Sequence, residues 1–255
     1  MTDAAIATTD KPVWVDLATT DPAAARAFYA QVLGWQVEVN PDPQYGGYAL
    51  AKVDGKDAAG IGGTQSPDQP AAWSVYVGSA DVDALAQRVA GAGGTVIAPP
   101  FPVGDQGRMA VFQDPTGAFI SAWQTTQMGG FQTQGTNAFG WAELNARGID
   151  KASPFYEQIF GWTKADAIDM GPMGTYQLFA TGSHPVGGMM NKPAEIPVPF
   201  WGYYFNVATL DAAIDRAASR GAKVLSGPME VPGGLWIANC MDLQNAAFSM
   251  VAPSR

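Results

Sequence analysis

Val13, Val15 and Leu17 alternate with Trp14, Asp16 and Ala18, the period-two pattern of a strand with one apolar and one mixed face. Asp21 followed by Pro22 reads as an N-cap with proline at the first helical position, and Ala25, Phe28 and Val32 share one face before Gly34 ends the helix. Short strands are expected from Tyr48 to Val53 and from Ala58 to Gly62, around a turn at Asp54-Gly55. After a polar stretch from Gln65 to Pro70 the same order recurs. It comprises a strand from Trp73 to Val77, a helix from Asp81 to Ala92 stopped by Gly93-Gly94, and strands near Thr95 to Ile97, Met109 to Phe112 and Ala118 to Trp123. Further on come a strand from Phe200 to Val207, a helix from Thr209 to Arg220 stopped by Gly221, and a strand from Trp236 to Met241.

The chain also repeats itself. Trp14-Val15-Asp16-Leu17 returns as Trp141-Ala142-Glu143-Leu144, Phe28-Tyr29 as Phe155-Tyr156 and Gly34-Trp35 as Gly161-Trp162, all at a spacing of 127. The spacing then becomes 128: Tyr48 matches Tyr176, Trp73 matches Trp201, Asp83 matches Asp211, and Asp114 with Ala118 matches Asp242 with Ala246. Rare residue types held at one spacing mark a duplication. The expected organisation is a tail over 1–11, a first domain over 12–127, a Gly/Thr/Gln-rich linker over 128–136 and a second domain over 137–253.

Composition narrows the chemistry. Apolar residues make up 47% and charged ones 15% of 255 residues, which suits a globular chain. A formal charge of −9 argues against a nucleic-acid partner. The start of the chain has no charged region followed by an apolar core, and Cys240 stands alone, so a cytoplasmic protein with no membrane partner is expected. One histidine, His184, and one cysteine are too few for a usual transition-metal or zinc site.

A first strand, then Asp-Pro-x-x-Ala-x-x-Phe-Tyr-x-x-x-Leu-Gly-Trp, then Asp-Val-Asp and a closing Asp-Pro-Thr-Gly-Ala-x-x-x-x-Trp, resembles the vicinal oxygen chelate superfamily, the glyoxalase/bleomycin resistance/dioxygenase group. The match runs nearly the whole chain, twice; Asp242-Leu243-Gln244-Asn245-Ala246 is a degraded form of the closing motif. The two-domain form is similar to tandem actinobacterial glyoxalase-like proteins. The resemblance implies an α+β fold of two tandem domains, each built from paired βαβββ modules whose mixed sheet curls into a cup with helices outside. It also implies a metal held by two His and a Glu. Here those positions carry Trp14, Ser74 and Ser121 in the first copy and Trp141, Gly202 and Ser249 in the second, so no metal and no cofactor is expected.

Strand alternation puts Asp16 beside Trp14 and Glu143 beside Trp141 on the cup side, with Tyr76 and Tyr204 from the second-module strands and Phe119 with Trp123 from the last strand of the first copy. Such a lining suits a hydrophobic aromatic or polyketide-like ligand, with Met189 as a pliable wall. Asp16, Glu143, Tyr76 and Tyr204 are the candidate catalytic residues. Each carboxylate could instead be satisfied by neighbouring backbone or a tyrosine hydroxyl, and Trp14 and Trp141 could simply plug the vacated metal cavity. Three functions stay open: a metal-independent isomerase, cyclase or lyase of specialised metabolism such as antibiotic biosynthesis, an antibiotic-sequestering protein of the bleomycin-binding kind, and a degenerate interaction module. A monomer or weak homodimer is expected.

Overall fold

A computed structural model describes residues 9–126 and 135–255. Most of the expected linker, and the tail before Thr9, lie outside them. The first repeat runs β1 (Pro12–Thr19), α1 (Pro22–Val32), β2 (Gln36–Val39), β3 (Ala49–Val53), β4 (Lys56–Gly63), β5 (Ala72–Gly78), α2 (Val82–Gly91), β6 (Thr95–Val103), β7 (Gly107–Gln113) and β8 (Phe119–Thr125). The second runs β9 (Phe139–Ala146), α3 (Ile149–Phe160), β10 (Thr163–Asp169), β11 (Thr175–Thr181), β12 (His184–Asn191), β13 (Phe200–Asn206), α4 (Leu210–Ser219), β14 (Lys223–Val231), β15 (Leu235–Met241) and β16 (Ala247–Ala252). The strands form two eight-stranded mixed sheets, ordered β2-β3-β4-β1-β5-β8-β7-β6 and β10-β11-β12-β9-β13-β16-β15-β14. This is the α+β arrangement of two tandem repeats that the resemblance implies. Among the described residues no helix is long and apolar enough to cross a membrane.

Local chemistry accounts for the elements. Asp21 and Asp81 accept from the backbone N–H of Ala24 and Ala84, capping α1 and α2 as their sequences require. β6 continues past Ile97 through Pro99, Pro100 and Pro102, further than its composition suggests. It is the outermost strand of its sheet, the place where residues without a backbone N–H are tolerated. β2 and β10, at the opposite edges, were not expected from the sequence: β2 is only four residues long, and the side chains of both are mostly exposed.

Backbone proximity divides the chain into two compact units, each taking modules from both repeats. Of the described residues, one unit takes 14–74, 135–141 and 203–255, and the other 9–13, 75–126 and 142–202. In the former, Tyr29 of α1 meets Phe28, Trp73 and Phe248 edge-on at 4.9, 5.2 and 5.5 Å and stacks on Trp35 at 5.7 Å. Its hydroxyl accepts from Trp73 Nε1 at 3.0 Å and donates to Asp242 Oδ2 at 3.0 Å. Asp242 Oδ1 in turn accepts the backbone N–H of Gln244 and Ala246.

The other unit repeats this chain of bonds. Trp201 Nε1 donates to the Tyr156 hydroxyl at 3.1 Å, and Tyr156 donates to Asp114 Oδ2 at 3.0 Å. Asp114 Oδ1 holds the backbone N–H of Thr116, Gly117 and Ala118. The degraded motif at Asp242 therefore builds the same turn as Asp114. Gly117 has φ 105° and its counterpart Asn245 has φ 66°, a left-handed conformation that asparagine tolerates better than most residues. Arg88 reaches the carbonyl of Ile159 near the end of α3, and Arg216 that of Val32 at the end of α1.

Replacing Tyr29 by phenylalanine leaves a buried indole N–H and a buried carboxylate oxygen without their partner, and a loss of about 3 kcal/mol is expected from urea unfolding. Burial holds the Asp242 carboxyl above its ordinary value of 3.8, and the Tyr29 hydrogen bond opposes that rise. The folded state therefore keeps this proton to higher pH than the unfolded chain, and stability declines as pH rises through the raised value. Without the Tyr29 bond the rise is larger, so the deficit of Tyr29→Phe should be greater at neutral pH than near 3.8.

Candidate functional site

β1 places Trp14 and Asp16 two residues apart on one face, and Asp16 stands opposite Gly60 of β4. Tyr48, just before β3, shares the face of Leu50, which also pairs with Gly60. A Cβ on Gly60 would collide with the Tyr48 ring, so glycine is what lets the tyrosine lie across the sheet. The Tyr48 hydroxyl accepts from Trp14 Nε1 at 2.8 Å and donates to Asp16 Oδ2 at 3.3 Å. Trp14 is buried and Asp16 half-buried. Loss of solvent, then the Asp16 charge, pushes the Tyr48 hydroxyl well above 10, which makes it a donor that keeps its proton.

The second repeat varies the same plan. Glu143 stands opposite Gly188, whose missing Cβ admits the Tyr176 ring, and Asn145 Nδ2 donates to Glu143 Oε1 at 2.9 Å. Tyr48 and Tyr176 were overlooked as site residues. Their match at the repeat spacing, beside glycines at the matching interior strand positions 60 and 188, was the available signal.

In the closing modules Tyr76 of β5 is paired with Ser121 of β8, and Tyr204 of β13 with Ser249 of β16. All four are buried. Ser249 Oγ donates to Asn239 Oδ1 at 2.6 Å, and Asn239 Nδ2 to Ser226 Oγ at 2.9 Å. A tyrosine hydroxyl on Asp16, one of the two partners its sequence setting allowed, is supplied by Tyr48. Trp123 is buried, while Phe119 begins β8 and is 54% exposed, too open to form a wall. Ser74, Trp141 and Gly202 are half-buried. Met189 corrects the expectation: it pairs with Leu144, on the face opposite Glu143, because strand neighbours alternate. Met190, paired with Asn145, takes the Glu143 side.

The residues at the implied metal positions do not fit a divalent ion. Trp14 Nε1 offers a hydrogen and no lone pair, Gly202 offers no side chain, and Ser249 is already bonded to Asn239. Among the described residues no three His, Cys, Asp or Glu side chains come together. Elsewhere, Arg108 pairs with Asp83 of α2 at 3.0 Å, and burial lifts the Cys240 thiol to about 11, a packing residue with little thiolate character.

The model of the Glyoxalase/Bleomycin resistance protein/Dioxygenase superfamily matches residues 11–121 and 138–242. CFP32 of Mycobacterium tuberculosis, whose name includes the term glyoxylase, is 36% identical over 95% of this chain and 95% of its own. The anthracycline biosynthesis protein DnrV of Streptomyces peucetius is also 36% identical, over 94% of this chain and 92% of its own. The Mn(II)-bound glyoxalase of Novosphingobium aromaticivorans superposes with a TM-score of 0.67 over 96% of this chain and 83% of its own, at 16% identity, a likeness of fold.

Gly60→Ala should dislodge Tyr48 and break its bonds to Trp14 and Asp16. In the parent protein Tyr48 holds its proton beyond 10, where the unfolded chain releases it, so its contribution to stability is lost as pH rises above 10. An alkaline titration followed by tyrosinate absorbance should therefore show one more tyrosine ionising near 10 in Gly60→Ala. An unchanged count would exclude the packing described.

Proposed function

The chain belongs to the glyoxalase/bleomycin resistance protein/dioxygenase superfamily, and from that premise we propose that it is a metal-independent small-molecule protein of specialised metabolism. Its ligand is a hydrophobic aromatic or polyketide-like molecule, and its chemistry is acid–base: isomerisation, cyclisation or elimination. The observation that carries the reading is the hydrogen-bonded set Trp14–Tyr48–Asp16 standing where a metal ligand would be expected. The name of DnrV, an anthracycline biosynthesis protein similar over most of its length, supports a polycyclic ligand.

In this reading Asp16 or Glu143 takes a proton from a carbon next to a ligand carbonyl and returns it elsewhere on the same molecule. That step balances without a co-reactant. Tyr48 holds the Asp16 carboxylate in one orientation, and Asn145 does the same for Glu143. Tyr76, Tyr204, Ser74, Ser121, Trp123, Trp141, Gly202 and Ser249 are the proposed contacts around the ligand. The protein would act in the cytoplasm as a monomer or weak homodimer without a cofactor.

Asp16→Asn and Glu143→Gln test the roles directly. At the working repeat, turnover of an identified polycyclic substrate should fall about 100-fold or more, with ligand affinity nearly retained. Unchanged turnover in both variants excludes acid–base catalysis by these carboxylates. Ligand recovered intact from the parent protein, with protection proportional to protein added, would instead make this a sequestering protein.

A further inference from the structure

Trp123, in the closing module of the first repeat, carries a polar hydrogen to which the acid–base reading assigns no partner. Tyr76, Ser121 and Val111 form one row across β5, β8 and β7, and Gly78, Trp123 and Met109 form the next. Arg108, which alternates with Met109, reaches Asp83 on α2, so these rows lie on the sheet face turned away from that helix. The Trp123 ring rests against Gly107, where a Cβ would stand 2.7 Å from Cζ2 and 2.9 Å from Cε2. Trp123 is 8% exposed, and its indole N–H is buried with no acceptor among the described residues. Buried donors left unbonded are costly and uncommon.

The second repeat removes this feature. Val251 stands in place of Trp123, and the neighbouring polar groups are consumed internally by the Ser249–Asn239–Ser226 chain. The first repeat has Val111 and Ala98 where that chain has Asn239 and Ser226.

We infer that the first repeat's β5–β8–β7 face is the ligand seat, and that Trp123 donates its indole hydrogen to a carbonyl or phenol oxygen of a flat aromatic ligand. The inference rests on the aromatic-ligand reading above and adds which repeat binds and which atom recognises. Met109, across from Trp123 on β7, is an unbranched thioether that can shift to admit the oxygen. Phe101, next to Met109 on the edge strand and 41% exposed, offers an apolar rim for the rings.

The test titrates two probes against the full chain by fluorescence: 1,4-dihydroxyanthraquinone, which carries carbonyl oxygens, and 2-aminoanthracene, the same three rings without them. Trp123→Phe should weaken the quinone about tenfold and leave 2-aminoanthracene nearly unchanged. Asn239→Val, in the second repeat, should change neither. Equal losses for both probes, no loss for either, or a quinone loss in Asn239→Val as large as in Trp123→Phe would overturn the inference. A parent protein that binds neither probe would instead defeat the aromatic-ligand reading beneath it. Should Trp123→Phe not fold, Trp123→Tyr and the indole N–H resonances of the ¹⁵N-labelled parent report the same contact. The quinone should shift one indole resonance downfield and 2-aminoanthracene should not; no such shift overturns the inference.

Discussion

Two buried carboxylates organise the core. Asp114 and Asp242 each gather backbone N–H groups from their own tight turn with one oxygen and a tyrosine hydroxyl with the other, and a tryptophan closes the chain of donors. A carboxylate in so apolar a setting is tolerable only when every lone pair that matters is met. The aromatic rings that pack around Tyr29 and Tyr156 supply the apolar burial, while these chains fix which ring stands where. Trp35 and Trp162 extend the scheme by donating to the carbonyls of Asn137 and Asp10.

That core leaves the sheet faces turned away from the helices to diverge. Trp14, Tyr48 and Asp16 form a linked set in the first repeat, and in the second Glu143 accepts from Asn145, where the first copy has Ala18. Glycines at 60 and 188 preserve the crossing tyrosine in both. The closing modules differ, one copy carrying an indole N–H with no acceptor among the described residues and the other a linked row of serine and asparagine. Chemistry has changed where packing allowed it and has stayed where a buried charge would have been stranded.

The capped helices and the alternating strands were legible because their signals are local: Asp21-Pro22, Asp81 and the period-two run from Val13 to Leu17 act within a few residues. The edge strands were less so, since an exposed strand needs no apolar alternation and β6 carries three prolines. Face assignments followed parity where the register was simple, as for Trp14 and Asp16. They failed at Met189, where choosing between two adjacent methionines needed the pairing with β9. The partner of Asp16 could not be read from strand order, because Tyr48 reaches it across a third strand, over a missing side chain. The roles of Asp114 and Asp242 depend on tyrosines 42 and 213 residues away.

Because Tyr29 is answered by Asp242 and Tyr156 by Asp114, neither copy of the repeat contains what its own first helix needs. A solitary repeat of this design could satisfy its tyrosine only by meeting another copy of itself. The fused chain is in effect such an association written on one polypeptide. Fusion lifts a constraint that identical subunits impose, since a substitution on one surface no longer appears on both. One copy can then gain an indole and lose an asparagine while the other does the reverse, and a single polypeptide comes to own two unlike surfaces.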